Sequence, residues 1–200
     1  CKFLLIWLMI GKIKDMLNNN FNNTKSFVVL FMALLIGSTV FSQKMITRSG
    51  EIKFDATVPG AMDEVIGTNK TVSAIFDKST TDLVVLGLVK SFKFKSPLME
   101  EHFNENYMES DKLPKASFKG KVVNYKGKAG SYDVEGDLTI HGIANKVKTK
   151  MAVVNDGVKL LISGAFAIKL IDYKLDVPAL AKKTLSETAK ISIKLVLENK

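Results

Sequence analysis

The sequence predicts an all-β protein, an eight-stranded antiparallel barrel with one main short helix near one end. The main observation is a period of two, in which apolar and polar residues alternate along most of the chain after residue 43. Successive side chains of a strand point to opposite faces, so this alternation gives each strand one apolar face. A sheet of such strands must close on itself or pack against another layer. Eight long strands with one helix favour closure into a barrel.

Turn signals divide the alternating part of the chain into separate strands. The predicted strands are 46–56, 65–77, 83–94, 115–126, 132–140, 145–155, 158–170 and 189–197. Alternation is clearest around Val147 and Thr149, where positions 146, 148 and 150 are all lysine. The turns include Asn155-Asp156-Gly157, in which Gly tolerates the positive φ of a tight hairpin.

One segment changes from strand spacing to helical spacing. Between Pro97 and Pro114, apolar residues recur close to every third or fourth position, at Leu98, Met99, Phe103, Tyr107 and Met108. Pro97 fits the first turn, where its missing N–H costs little, and Pro114 prevents continuation. We therefore expect a helix over 98–108 that covers one end of the barrel. A second short segment, helical or loop, is expected at 177–182.

Residues 1–42 are predicted to be an upstream segment followed by a secretory signal peptide. Lys25 precedes the apolar run Phe27–Ile36, and a short region with small residues leads to Ser42. The run is shorter than the roughly 20 apolar residues that span a bilayer, although a retained anchor is the alternative. We expect cleavage between Ser42 and Gln43 and export to the periplasm or the medium. Residues 43–200 then form a single domain.

Composition argues against a disulfide framework, a thiol nucleophile and a nucleic-acid partner. The single cysteine is Cys1, so the predicted domain has neither a disulfide framework nor a thiol nucleophile. The chain carries 29 basic and 20 acidic residues, a balance that suits nucleic acid or an anionic membrane. The lysines, however, alternate with apolar residues as on a solvated sheet face, and Arg48 is the one arginine. We predict no nucleic-acid partner and leave a peripheral membrane contact open.

No motif predicts catalysis, a metal or a cofactor. His102 and His141 are the two histidines, and neither has further His or Cys ligands at zinc-binding spacing. We interpret His102 as a partly exposed helix residue and His141 as part of a hairpin turn with Gly142. Gly-x-Ser-x-Gly, Walker and Rossmann motifs are absent from the sequence. The protein is predicted not to be an enzyme, and its function is expected to come from a cavity.

Several motifs in the second half resemble those of one family. Leu113-Pro114-Lys115-Ala116-Ser117-Phe118 is similar to a strand entry of the form Tyr-Pro-x-apolar-x-Phe. The stretch from Gly136 to Gly142, GDLTIHG, is similar to a hairpin of the form Gly-x-Leu-Thr-apolar-His-Gly. Phe166 to Asp172 and Ile191-Ser192-Ile193 resemble the closing strand pair. In this order the motifs resemble the YceI-like family, which comprises secreted lipocalin-like barrels that bind polyisoprenoid lipids.

The resemblance implies a periplasmic or secreted protein that holds an isoprenoid or other long-chain amphiphile, such as a quinone, in an apolar barrel cavity. Aromatic and Met side chains suit a long, featureless chain. The residues predicted to bind the ligand are Phe92, Phe94, Met99, Phe103, Tyr107, Phe118, Ile140, Met151, Phe166 and Ile168. The alternative is a non-catalytic structural or interaction protein of the envelope, in which the same side chains fill the core. Ligand identity and oligomeric state stay open.

Overall fold

Nine antiparallel strands share one sheet in the computed structural model, which describes residues 44–200. They are β1 (Lys44–Thr57), β2 (Ile66–Asp77), β3 (Asp82–Leu88), β4 (Lys93–Phe94), β5 (Lys115–Val122), β6 (Gly130–Ile140), β7 (Ile143–Asn155), β8 (Lys159–Lys169) and β9 (Leu185–Asn199). The order β1-β9-β8-β7-β6-β5-β3-β2, closed by pairing of β1 with β2, makes a barrel of eight long strands. The two-residue β4 pairs with β2 on the same edge as β3, farther along the strand. The predicted barrel is confirmed, while the predicted leader and Gln43 lie outside the described residues.

The predicted helix lies between β4 and β5. It consists of α1 (Pro97–His102) followed without a break by a π-helical turn, Phe103–Tyr107. The Ser96 hydroxyl caps the helix by accepting a hydrogen bond from the Met99 N–H at 3.4 Å. In the segment 177–182, the loop alternative is what the structure shows, because it contains turns. Within residues 44–200, no helix has the length and apolar character needed to cross a membrane.

The predicted strand 83–94 is interrupted in the middle and resumes at β4. β3 ends at Leu88, and a short 3-10 helix, Val89–Ser91, follows it. The cause lies on β2, where the fully buried Asn69 donates its side-chain N–H to the Leu88 carbonyl at 3.0 Å. This side-chain bond takes the place of main-chain pairing at the 3-10 turn, and pairing with β2 resumes at Lys93–Phe94. The predicted strand 115–126 is shortened, because β5 ends at Val122.

Side-chain directions follow the predicted alternation in most of the barrel. On β7, Met151 and Val153 are buried, and the lysines between positions 146 and 150 are exposed. On β9, Leu195 and Leu197 are fully buried. Val158, which the pattern places inside, is 67% exposed. The reason is that it belongs to the turn before β8, where the strand periodicity has not yet begun.

The two ends of the barrel are packed differently. At the closed end, which carries the turns 78–81, 123–129 and 156–158, Phe76, Leu160 and Leu197 are completely buried in one apolar cluster. Tyr125 adds an edge-on ring contact to Phe76, with centroids 5.4 Å apart. The open end carries the connections 58–65, 89–114, 141–142 and 170–184. A second apolar cluster at this end surrounds a space rather than filling it.

Candidate functional site

The barrel interior toward the open end contains a cavity of about 490 Å³. Cavities of roughly 300–1,000 Å³ are the usual size of small-molecule sites in proteins. Leu83, Val134 and Leu195 form part of its wall and also belong to the closed-end cluster, so the cavity ends on packed core. Phe166 and Ile193 pack against both apolar clusters and are only half-buried, because they also border the open space. The interior is therefore filled at one end and hollow at the other.

All ten residues predicted to bind a ligand lie in the wall of this cavity. They are Phe92, Phe94, Met99, Phe103, Tyr107, Phe118, Ile140, Met151, Phe166 and Ile168. Five of them come from the connection between β3 and β5, and the others come from β5, β6, β7 and β8. Their position follows from the strand alternation and the helical spacing. That they bind a ligand stays a prediction.

Sequence reasoning did not select several other residues of the wall. Phe54, Leu138 and Ile193 lie on inward faces of strands, and the same period of two could have selected them. Asp63 and Thr184 also line the cavity, but they come from loops. Loop residues carry no periodic signal, so only the folded chain brings them to the site.

The helix and the π-turn lie over the open end of the barrel, and residues 97–108 are here called the cover. Met108 of the cover is buried in the open-end cluster, and Phe103 joins the cover to three aromatic rings of the barrel. The Phe103 ring lies 4.9 Å from that of Phe94, 5.6 Å from that of Phe92 and 5.9 Å from that of Phe54, centroid to centroid. Tilted rings at these separations attract each other beyond their simple burial. The aromatic cluster joins the cover to β1 and to the chain beside β4.

Hydrogen bonds hold the start of the cover. The Glu100 carboxylate accepts from the Lys93 ammonium at 2.6 Å and from the Phe94 N–H at 3.2 Å. The bond from Lys93 is the main cause that lowers the pKa of Glu100, and the Phe94 N–H acts in the same direction, whereas desolvation opposes both. The Asn104 side-chain N–H donates to the Glu100 carbonyl at 2.8 Å. The first turn of the cover is thus bonded to β4 and to the π-turn.

The chain just after the cover contacts a hairpin on the other side of the open end. His141 and Gly142 form the two-residue turn between β6 and β7, both with positive φ, as a type I′ turn requires. The expected hairpin role of His141 is therefore confirmed. Its Nε2 lies 3.8 Å from Oε2 of Glu109, and its Nδ1 lies 3.2 Å from the carbonyl oxygen of Tyr173. The Lys112 ammonium, 3.0 Å from Glu109, is the first cause that lowers the pKa of Glu109, and His141 is a lesser one.

Three residues of the cavity wall are exposed to solvent and mark the mouth: Asp63, Leu98 and His102. Asp63 carries the only formal charge among the lining residues within 44–200. Deeper polar groups are few and uncharged, such as the hydroxyls of Ser117 and Thr149. A charged group inside would lose its hydration without compensation. The cavity is therefore suited to an uncharged, mainly apolar molecule whose polar end stays at the mouth.

The described part of the chain contains no cluster of three or more His, Cys, Asp or Glu side chains placed to hold a metal. His102 lies at the mouth and His141 lies in the hairpin turn, so the two histidines occupy different elements.

The family model of the YceI-like domain matches residues 38–197 of this chain. A comparison with curated proteins finds no match.

Solved structures share the barrel at low sequence identity. A polyisoprenoid binding domain from Saccharophagus degradans, implicated in plant cell wall breakdown, has a TM-score of 0.67 at 14% identity, over 79% of this chain and 99% of its own. BcnA from Burkholderia cenocepacia has a TM-score of 0.62 at 19% identity, over 74% of this chain and 95% of its own. The YceI protein of Campylobacter jejuni has a TM-score of 0.57 at 20% identity, over 70% of this chain and 87% of its own. At these identities the likeness shows the fold.

Proposed function

The chain belongs to the YceI-like family, and from this premise we propose that it is a non-catalytic lipid-binding protein whose barrel holds an uncharged isoprenoid or similar long-chain amphiphile. The observation that carries the proposal is the apolar cavity of about 490 Å³, in which Asp63, the one charged lining residue within 44–200, lies at the mouth. The structural neighbour described as a polyisoprenoid binding domain supports the same class of ligand.

The physical basis of binding is the removal of hydrocarbon from water. Each buried CH₂ group contributes about 0.8 kcal/mol, so a chain that occupies the cavity needs no charged contact for useful affinity. The wall contains Met99, Met108 and Met151 besides its aromatic rings. Met side chains adapt their shape at low cost, which suits a chain with many conformers. The polar end of the amphiphile then stays at the mouth, where it keeps contact with solvent.

The proposal is tested by filling the cavity from one wall. Thr149 of β7 faces the cavity, and its neighbour Lys148 is largely exposed on the opposite face. We expect Thr149→Phe to abolish binding of farnesol and of quinones, measured by titration calorimetry, while the barrel keeps its melting temperature. Lys148→Phe is the matched control and should bind like the unmodified protein. Mass spectrometry of lipid extracted from the purified protein identifies the natural ligand.

The alternative is an envelope interaction protein whose barrel core is filled. It expects that no lipid copurifies and that no amphiphile raises the melting temperature. It also expects Thr149→Phe to destabilise the barrel by about 1–3 kcal/mol, as overpacking does in a filled core. These results together would reject the lipid-binding proposal.

Export is a further part of the proposed function. It is supported by the sequence pattern of Lys25, the apolar run Phe27–Ile36 and the region up to Ser42. N-terminal sequencing of the protein recovered from the periplasm or the medium should begin at or near Gln43. A mature protein that retains the apolar run contradicts this proposal.

A further inference from the structure

Three large apolar side chains stand in solvent at the segments that form the mouth of the cavity. Met62 is 100% exposed, Leu180 is 98% exposed and Leu98 is 60% exposed. Leu98 itself lines the cavity, and Met62 and Leu180 each precede a lining residue in the chain, Asp63 and Ala181. We call Met62, Leu98 and Leu180 the apolar rim. Single exposed apolar residues are ordinary, but three at one opening together form an exposed apolar patch of the kind that marks an interaction site.

Backbone hydrogen bonds fix the two loops that carry Met62 and Leu180. The N–H of Val58 donates to the Thr184 carbonyl at 3.1 Å, which joins the loop after β1 to the loop before β9. Within the second loop, the N–H of Ala181 donates to the Pro178 carbonyl at 2.9 Å. Met62 and Leu180 are therefore presented by two neighbouring turns that are hydrogen-bonded to each other at the open end.

The charges around the rim exclude a simple electrostatic attraction to an anionic surface. The rim segments 58–65, 93–105 and 171–187 contain five basic and eight acidic residues. Two of the lysines are already paired, Lys93 with Glu100 at 2.6 Å and Lys182 with Glu187 at 2.7 Å. These segments carry a net charge of −3 (5 basic, 8 acidic) and offer no basic patch to anionic lipid. Any surface that receives the rim must therefore accept apolar side chains and carry little net charge.

We infer that the apolar rim docks on a zwitterionic lipid bilayer, with Met62, Leu98 and Leu180 inserted at the interface and the mouth of the cavity facing the membrane. The inference rests on the proposed function, because the bilayer is where a long uncharged chain is dissolved. In this position the lipid ligand passes between the bilayer and the cavity, past Leu98, without crossing water. Insertion of apolar side chains into the interface is the ordinary mode of binding for surface-associated proteins.

Vesicle flotation tests the inference with the full mature protein. Vesicles of phosphatidylcholine should carry the protein upward, and vesicles of equal parts phosphatidylcholine and phosphatidylglycerol should bind it no better. The double variant Met62→Ser/Leu180→Ser should bind at least about tenfold more weakly, which corresponds to the transfer of one apolar side chain. Val158→Ser is the matched control, because Val158 is exposed at the closed end of the barrel. Raising the salt concentration should change the binding little.

Three outcomes would overturn the inference. The unmodified protein stays with the solution, or the double variant floats like the unmodified protein, or binding depends on phosphatidylglycerol and disappears with salt. Sedimentation velocity without lipid tests whether a second copy of the protein binds the apolar rim. A dimer that is dissociated by Met62→Ser/Leu180→Ser would assign the rim to self-association and would also overturn the inference. Titration with farnesol in the absence of vesicles separates the two proposals. The double variant should keep farnesol binding, and absence of farnesol binding by the unmodified protein would reject the proposed function itself.

Discussion

Phe103→Ala is expected to detach the cover from the barrel without unfolding the sheet. Phe103 is the ring that meets Phe54, Phe92 and Phe94 at centroid separations of 4.9 to 5.9 Å. It belongs to the π-turn and contributes no strand pairing. The substitution therefore removes apolar contacts between the cover and the barrel wall and enlarges the cavity, while the closed-end core stays intact.

The expected loss of stability is about 2–4 kcal/mol. Three aromatic pairs at roughly 0.5–1.5 kcal/mol each sum to about 1.5–4.5 kcal/mol, and this range is centred in the same place. Replacing a fully buried Phe by Ala in a filled core costs about 3–5 kcal/mol of stability. Phe103 is only half-buried, because one side of its ring faces the cavity. The lower part of that range is consequently the appropriate comparison.

Urea denaturation followed by far-ultraviolet circular dichroism measures the change. Tryptophan fluorescence is unsuitable, since the single tryptophan of the chain is Trp7, in the predicted leader. Leu98→Ala is the control on the same cover, because Leu98 is 60% exposed and should cost less than about 1 kcal/mol. Phe103→Leu keeps an apolar side chain without the ring and separates aromatic contact from volume.

Ligand binding gives the second part of the prediction. Phe103→Ala should weaken farnesol binding at least about tenfold, because an opened cover leaves part of the bound farnesol in water. Equal stabilities of Phe103→Ala and Leu98→Ala would refute the assignment of Phe103 as the contact that holds the cover. Unchanged farnesol affinity, with the loss of stability observed, would refute its role in enclosing the ligand.

Two further predictions concern the sheet and the pH dependence of the cover. A Cβ on Gly136 of β6 would collide with backbone atoms of Gly120 on β5, whereas a Cβ on Gly87 meets no atom closer than 3.7 Å. In urea denaturation Gly136→Ala should lose about 2 kcal/mol or more, and Gly87→Ala should be neutral or gain up to about 1 kcal/mol; equal effects would contradict the close approach of β5 and β6. Because the pKa of Glu100 is lowered in the folded state, the folded protein binds fewer protons than the unfolded chain just below the ordinary carboxyl pKa. The contribution of Glu100 to stability is therefore present above the ordinary pKa and is lost as the pH falls through the lowered value. Glu100→Gln should therefore reduce the slope of stability against pH in this acidic range, and an unchanged slope would show that the bond from Lys93 does not persist in solution.

The strand faces and the place of the helix could be predicted from the sequence because both depend on local geometry. Alternation fixes which side of β7 carries Met151 and which side carries the lysines, whatever the strand pairs with. Helical spacing likewise selects Met99 and Phe103 for one face of the cover. The His141-Gly142 turn is local as well. For this reason the ten predicted residues could be selected, and all of them lie in the cavity wall.

The end of β3 and the mouth of the cavity could not be predicted, because they depend on residues far apart in the sequence. β3 ends at Leu88 because Asn69, 19 residues earlier, bonds its carbonyl. Asp63 reaches the mouth from a loop that has no periodicity. The 3.8 Å approach of the Glu109 Oε2 to the His141 Nε2 joins two positions that no local pattern connects.

The sequence by itself determined that apolar side chains point into a closed sheet, and the tertiary structure decided how much space they leave there. The same inward set, including Phe118 and Phe166, is compatible with a filled core or with a cavity. Which of the two forms depends on how closely opposite walls of the closed barrel approach, and this distance is set by strand number and stagger together. Toward the closed end the side chains of opposite walls meet, and toward the open end they stop short and enclose about 490 Å³.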